Sequence, residues 1–198
     1  MNRPIEIHPL EPFVPNRAKA LMCGTFPPKR DKWSMEFFYP NYINDMWRIF
    51  GHIIFKDKFH FVDDANKTFK VDEIKEMLNQ LKIAVYDTAK IVHREKDNAS
   101  DKYLEIIEPL DLRLILSKIP ECESIITTGE KASSVISMLT NSKQPKLGES
   151  IKVQINDING RNLELIHYRM PSTSRAYPMK LEKKAEYYEK MLTEIGIL

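Results

Sequence analysis

Two short apolar runs, each stopped by a glycine, constrain this chain more than any other feature. Ala20-Leu21-Met22-Cys23 runs into Gly24, and Ser124-Ile125-Ile126-Thr127-Thr128 runs into Gly129. The first reads as a short buried strand that leaves through a tight turn, and the second as a clear strand. Helical periods are interleaved with them. Asn41 is placed to cap a helix through Trp47 and Ile49 with Gly51 near its end. Val71, Ile74, Leu78 and Leu81 share one helix face, residues 109–119 form a helical stretch closed by Pro120, and residues 131–139 form another. Leu181, Ala185, Tyr188, Leu192 and Ile195 step by 4, 3, 4 and 3 along a last helix opened by Pro178.

The remaining segments fill the spaces. Ile83-Ala84-Val85-Tyr86 is an apolar strand or an inward-facing loop, residues 93–103 are a polar connection, and the runs 151–155 and 163–166 flank Asn159-Gly160 as a hairpin. Strand and helix alternating over most of the length predict an α/β fold, a three-layer αβα sandwich around a central, mainly parallel four-stranded sheet plus the hairpin. With 198 residues the chain matches one domain, 1–198, in which residues 1–17, with four prolines, form an extended N-terminal arm. Ligands of such sheets sit beyond the carboxyl ends of the strands. That rule nominates residues 24–28, the segment after Val85, the turn at Gly129 and residues 170–177 as one rim.

Composition narrows the function classes. No window approaches the ~18 uninterrupted apolar residues of a membrane helix and the start has no apolar signal core, so a cytoplasmic protein without a membrane partner is expected. Two cysteines, Cys23 and Cys122, are too few for a disulfide scaffold or a thiolate metal cluster, and the five histidines show no metal-ligand spacing. No metal and no cofactor are expected. Lys plus Arg is 30 against 28 for Asp plus Glu, so any nucleic acid would be attracted by a local basic surface, not by net charge.

Three segments on the rim carry chemistry. Gly24-Thr25-Phe26-Pro27-Pro28 places backbone N–H groups where a strand stops. The aromatic run Phe37-Phe38-Tyr39-Pro40 precedes a helix start in which Asn44 and Trp47 lie one turn apart on one face. An ordinary reading makes Asn44 a helix-terminal residue bonded to the turn at Asn41 and the rings core. Met170-Pro171-Ser172-Thr173-Ser174-Arg175-Ala176-Tyr177-Pro178 offers three hydroxyls and an Arg before a helix, which suits a phosphate or, in the plain reading, a Ser/Thr cap. No G-x-S-x-G context exists for a serine hydrolase.

Together these segments resemble the uracil-DNA glycosylase superfamily, in particular its mismatch-specific and hypoxanthine-type branches. Gly24-Thr25-Phe26-Pro27 looks like the family's strand-end motif, Asn44-Asp45-Met46-Trp47 its Asn-x-aromatic-Trp stretch, and Pro171-Ser172-Thr173-Ser174 its Pro-Ser motif before a DNA-inserting loop. Residues 83–87 with the later Ser100-Asp101, and residues 125–132, are similar to family segments between them, in the family's order over roughly residues 18–178. The resemblance implies a monofunctional DNA glycosylase that flips a damaged or mismatched base, such as uracil or hypoxanthine, out of DNA and hydrolyses its N-glycosidic bond as a monomer.

On that reading Asn44 is the catalytic residue and places the water. Gly24, Thr25, Phe26, Phe38, Tyr39, Asp87 and Ser172 bind the base, with Phe38 ahead of Tyr39 as the stacking ring. Lys29, Arg30, Ser174, Arg175 and Tyr177 contact DNA, and Lys180, Lys183 and Lys184 add to that basic flank. An amide accepts no proton at neutral pH, so a slow enzyme is expected. Two departures weigh against efficient uracil removal: Phe26 stands where strongly active branches carry an acid, and Met170 where His or Asn is frequent. Thr173 and Ser174 also leave no apolar wedge, so Arg175 or Tyr177 would fill the gap in the stack. Two alternatives stand beside this reading: a non-catalytic DNA- or base-binding module on the same fold, and an enzyme of unrelated chemistry on a small anion held at Gly24 and Ser172.

Overall fold

A computed structural model describes residues 4–95 and 103–198. The elements in chain order are β1 (Ile5–Ile7), β2 (Ala20–Gly24), α1 (Met46–Phe55), β3 (Val62–Asp63), β4 (Thr68–Phe69), α2 (Val71–Leu81), β5 (Ile83–Asp87), β6 (Ala89–Arg94) and β7 (Leu104–Pro109). After these come α3 (Leu112–Lys118), β8 (Ser124–Thr128), α4 (Glu130–Leu139), β9 (Ser150–Asn156), β10 (Asn162–Met170) and α5 (Leu181–Glu194).

The central sheet runs β5-β2-β8-β10-β9. Neighbours among β5, β2, β8 and β10 are parallel, and β9 pairs antiparallel with β10. Among the described residues it therefore has five strands instead of the expected four, because the predicted hairpin folds into the sheet and contributes its first strand as an edge. Its turn is the expected one: Gly160 has φ +79°, and the buried Asp157 carboxylate accepts from the Asn159 and Arg161 N–H groups at 2.9 Å each.

Side chains alternate across the sheet and build a core on each face. Ala20 and Met22 of β2 pack with Trp47, Phe50, Ile74, Leu78 and Tyr188, placing α1, α2 and α5 on one side. Leu21 and Cys23 face the other way onto Leu112, Leu116, Val135 and Ile136 of α3 and α4. Three layers result because a parallel strand buried on both faces needs helices on both. Both cysteines are buried and unbridged, and burial raises their thiol pKa values.

Two segments read as irregular are paired. The described part of the N-terminal arm supplies β1, which joins β6 and β7 in an antiparallel sheet, and Phe13 exchanges two backbone hydrogen bonds with Val85 on the free edge of β5. Arg94, with its side chain 3% exposed, donates to both oxygens of Glu6 at 2.8 and 2.9 Å and to the Pro27 carbonyl at 3.0 Å. The arm is thus fastened beside the turn that follows β2. Of the expected 93–103 connection, residues 93 and 94 close β6.

One buried polar group makes this core sensitive to acid. Thr127 Oγ1 donates to the Tyr168 carbonyl (2.8 Å), so it accepts from His167 Nε2 (3.0 Å). His167 Nδ1 is then a bare acceptor, buried with no partner among the described residues, and burial lowers the ring's pKa to about 4. The unfolded ring takes a proton below about pH 6.5. Between about 6.5 and 4 the unfolded chain therefore binds a proton that the folded one refuses, so stability falls as pH falls through that window. Urea titrations at pH 7.5 and 4 should show this group costing about 3 kcal/mol at the lower pH. A His167→Gln variant should lose correspondingly less, and equal losses in both proteins would refute the assignment.

Candidate functional site

The carboxyl ends of the four parallel strands stand in one row. Gly24 pairs with Asp87, Cys23 with Thr127 and Thr128 with Met170. Gly24 is needed there because a Cβ would sit 2.4 Å from Asp87 Oδ1 and 3.3 Å from the Tyr39 hydroxyl. The absence of a side chain is what lets a carboxylate and a phenol close over the strand end. Tyr39, at φ +52°, shares a 3.1 Å hydrogen bond with Thr128 Oγ1. Burial, then the Asp87 charge, push its hydroxyl pKa well above the ordinary value, so it is a neutral hydrogen-bonding group.

Asp87 is 6% exposed and held by a residue the sequence pattern did not single out. His8, from the arm, directs Nε2 at Asp87 Oδ2 (3.0 Å) while its Nδ1 faces the Leu10 backbone. An ionised carboxylate only accepts, so Nε2 carries the proton in this contact. Aromatic rings wall the pair in: Tyr86 at 4.9 Å between centroids, Phe26 edge-on at 5.3 Å and Phe38 at 6.1 Å. Phe26 is half-buried and Phe38, at 2% exposed, is a core residue beneath His8. Seventy-nine positions separate the two members of the dyad, so no local spacing announces it.

The other half of the rim is joined to α1. Gly129, at φ +112°, lets the chain turn tightly past Ser172, whose Cβ would lie 3.5 Å from a Cβ on the glycine. Ser172 Oγ accepts from Ser174 N–H (3.3 Å), and Ser174 Oγ from Ala176 N–H (3.2 Å), so these hydroxyls shape their own loop. That loop reaches α1 through one main-chain bond, Asp45 N–H to the Thr173 carbonyl at 2.9 Å. Asn44 is therefore beside the Ser172 loop. Its own N–H donates to the Asn41 carbonyl and its Oδ1 accepts from Met46 N–H (2.9 Å), an Asx turn leading into the helix, which begins at Met46 with Asp45, not Asn41, at its N-cap and no side-chain cap bond.

A buried carboxylate fastens this junction. Asp45, 3% exposed, accepts from Arg175 Nε (2.8 Å) and from Lys184 Nζ (2.9 Å), and Lys184 also donates to the Ser174 carbonyl (2.8 Å). Lys184 is 0% exposed, so it leaves the basic flank and becomes an internal pin. A helix face of lysines conceals this, since one member points inward only because Asp45 is there.

The expected DNA-facing groups fall into two sets. Lys29 and Arg30 are exposed on a short 3₁₀ turn, where Arg30 pairs with Glu36 (2.7 and 2.5 Å) and covers the Trp33 ring at 4.1 Å. Ser174, Arg175 and the half-buried Tyr177 belong to the Ser172 loop, with Lys184 Nζ 6.0 Å from the Tyr177 ring centroid. Thr25 is 6% exposed at the strand end, and its carbonyl accepts from Ala89 N–H at 3.0 Å. Ser100 and Asp101 lie outside the described residues. Among the described residues no three His, Cys, Asp or Glu side chains are grouped to hold a metal ion.

No protein-family model matches the chain, and no curated protein matches its sequence. The fold does have a solved counterpart. The chain is similar to the solution NMR structure of a "putative Uracil DNA glycosylase from Methanosarcina acetivorans", with a TM-score of 0.60 and 17% identity over 93% of this chain and 95% of that one. At that identity the likeness establishes a common fold.

The Asp45 junction can be tested by stability alone. Lys184→Met leaves a buried carboxylate oxygen and a carbonyl without their donor and should cost roughly 3 kcal/mol or more in urea unfolding. Arg175→Gln removes a side chain 55% exposed and should cost no more than about 1 kcal/mol. The reverse order would show that Arg175, not Lys184, holds Asp45.

Proposed function

We propose that this protein is a monofunctional DNA glycosylase that removes a deaminated base, uracil or hypoxanthine, from DNA. The observation that carries the reading is the 2.9 Å bond from Asp45 N–H to the Thr173 carbonyl, which brings the helix start bearing Asn44 against the loop bearing Ser172. The two segments are 130 positions apart, as the Arg175–Asp45 pair measures it, and Ser172 also lies beside Gly129 at the end of β8. The shared fold with the Methanosarcina acetivorans structure supports the same reading.

The chemistry follows from the groups available. The C1′–N bond breaks with its electron pair on the departing base, and a water oxygen bonds to C1′ while its proton passes to solvent. Asn44 holds that water with the second lone pair of Oδ1 and the Nδ2 donors, the first lone pair being spent on the Met46 N–H. Without a carboxylate base at this position the reaction forgoes roughly 10²- to 10⁴-fold of general-base catalysis. Stabilising the leaving anion therefore matters most. Donors from residues 24–26 and Ser172 serve it, each worth about 10²- to 10³-fold when preorganised.

Asp87, with one oxygen held by His8, presents the other at Gly24 as an acceptor for a base N–H. Tyr39 is our choice for the ring against the base, because its hydroxyl edge lines Gly24, while Phe38 supports His8 from below. DNA is the partner, reached through Lys29, Arg30, Ser174, Arg175 and Tyr177.

Excision from synthetic duplexes carrying one uracil or one hypoxanthine tests the proposal. Wild-type protein should release base slowly, and Asn44→Ala should lower single-turnover excision by roughly 10²-fold or more. Asn44→Ala also removes the Oδ1 acceptor of the Met46 N–H, a hydrogen bond worth about 1 kcal/mol, so Asn44→Asp, which keeps that acceptor, is the control. Asp at this position can both accept from the Met46 N–H and take a proton, and should retain excision. Wild-type protein that cleaves neither lesion would reject the proposal.

A further inference from the structure

A cleft of about 340 Å³ opens between the N-terminal ends of α1 and α5, walled by Arg48, Lys58, Phe59, Arg175 and Lys180. That volume is within the roughly 300–1,000 Å³ of small-ligand sites. Four cationic side chains line it against two carboxylates, Asp45 and Glu182. Both Asp45 oxygens are already taken by Arg175 and Lys184, and Glu182 stands 3.6 Å from Lys58. The wall is therefore short of negative charge.

Arg48 shows this most clearly. It is 5% exposed, lies against the Tyr42 and Phe69 rings at 4.9 and 5.0 Å, and donates to two main-chain carbonyls, Tyr42 (2.6 Å) and Asn44 (2.9 Å), rather than to a carboxylate. Burial, then the neighbouring Arg175 charge, lower its pKa against the smaller opposing effects of Tyr42 and Asp45. At the outer lip Phe59 is 58% exposed, a large ring left uncovered, with Lys58 Nζ 5.6 Å above it.

We propose that this cleft binds a phosphodiester of the DNA strand next to the extruded nucleotide, with Phe59 stacking on the adjoining base. The inference rests on the glycosylase reading and extends it to a second contact. A singly charged tetrahedral anion between Arg48, Arg175 and Lys180 supplies the missing charge and lies at the N-terminal ends of two helices of 10 and 14 residues. One wall is Arg175, in the loop that carries Ser172 and Ser174, so the cleft adjoins the rim. An aromatic face beside a basic groove is the arrangement that holds single-stranded nucleotides without reading sequence.

The test is anisotropy titration of labelled lesion duplexes in which one phosphate at a time is replaced by an uncharged methylphosphonate. Lys180 is exposed and the Lys58 side chain is half-exposed with a single 3.6 Å ion pair, so a Lys58→Ala/Lys180→Ala protein should fold. It should bind several-fold more weakly, with a log–log salt slope about one unit shallower. One methylphosphonate position should weaken the wild type equally and add nothing to the double variant. Phe59→Ala should weaken binding without changing the slope.

Variants that keep wild-type affinity and slope, while the wild type excises base, would overturn the cleft and leave the glycosylase reading standing. The predicted coupling in a protein that excises nothing would uphold the cleft and reject the catalytic reading. Inorganic phosphate that raises the wild-type melting temperature but not the variant's, without any difference in DNA binding, would make the site one for a free anion and overturn the phosphodiester assignment.

Discussion

The arrangement at the rim depends on one buried carboxylate. Asp45 sits at the start of α1 with both oxygens occupied by cations from elsewhere in the chain, Arg175 on the Ser172 loop and Lys184 inside α5. A carboxylate removed from water is costly unless fully paired, so its presence forces those partners to arrive. Lys184 brings α5 with it and hydrogen-bonds the loop main chain at Ser174 as well. The helix start, the loop and the last helix are thereby fixed by a single charge, and Asn44 and Ser172 inherit their proximity from it. Packing alone would leave that loop adjustable, whereas a satisfied ionic cluster has one geometry.

A similar economy operates at the other end of the row. Gly24 has no side chain, which admits the Asp87 carboxylate and the Tyr39 hydroxyl to within contact of the strand end. His8 closes the same space from the arm, and the arm is held by β1 pairing with β6, by Glu6 on Arg94 and by the Phe13–Val85 bridge. The second, three-stranded sheet thus contributes a side chain to the mouth of the first. Its stability bears on these strand ends through the His8–Asp87 contact.

The charges also divide by role. Lys184 is internal, Arg30 is paired with Glu36 at the surface, and Arg48, Lys58 and Lys180 face a cleft. Similar residue types in similar basic runs therefore do three different things. An exposed pair contributes little, a buried one fixes the backbone, and a third set lines a cleft with more cations than carboxylates.

How much of this the sequence held depends on the range of the signal. The short runs at residues 20–24 and 124–128, the face Val71-Ile74-Leu78-Leu81, the last helix and the Asn159-Gly160 turn are local: strand and helix periods and turn chemistry act over a few residues and were readable without neighbours. The order of elements then set an α/β fold with its ligand side at the carboxyl ends of the strands, and motif order pointed to Gly24, Asn44 and Ser172 as a group. What tertiary structure alone decided is which polar side chains meet. His8 finds Asp87 across 79 positions, Asp45 finds Lys184 across 139, and the fifth strand and the β1–β6–β7 sheet arise from backbone pairing between distant segments. Electrostatic and hydrogen-bond partners are selected by where the folded backbone puts them, and a one-dimensional pattern carries no term for that distance.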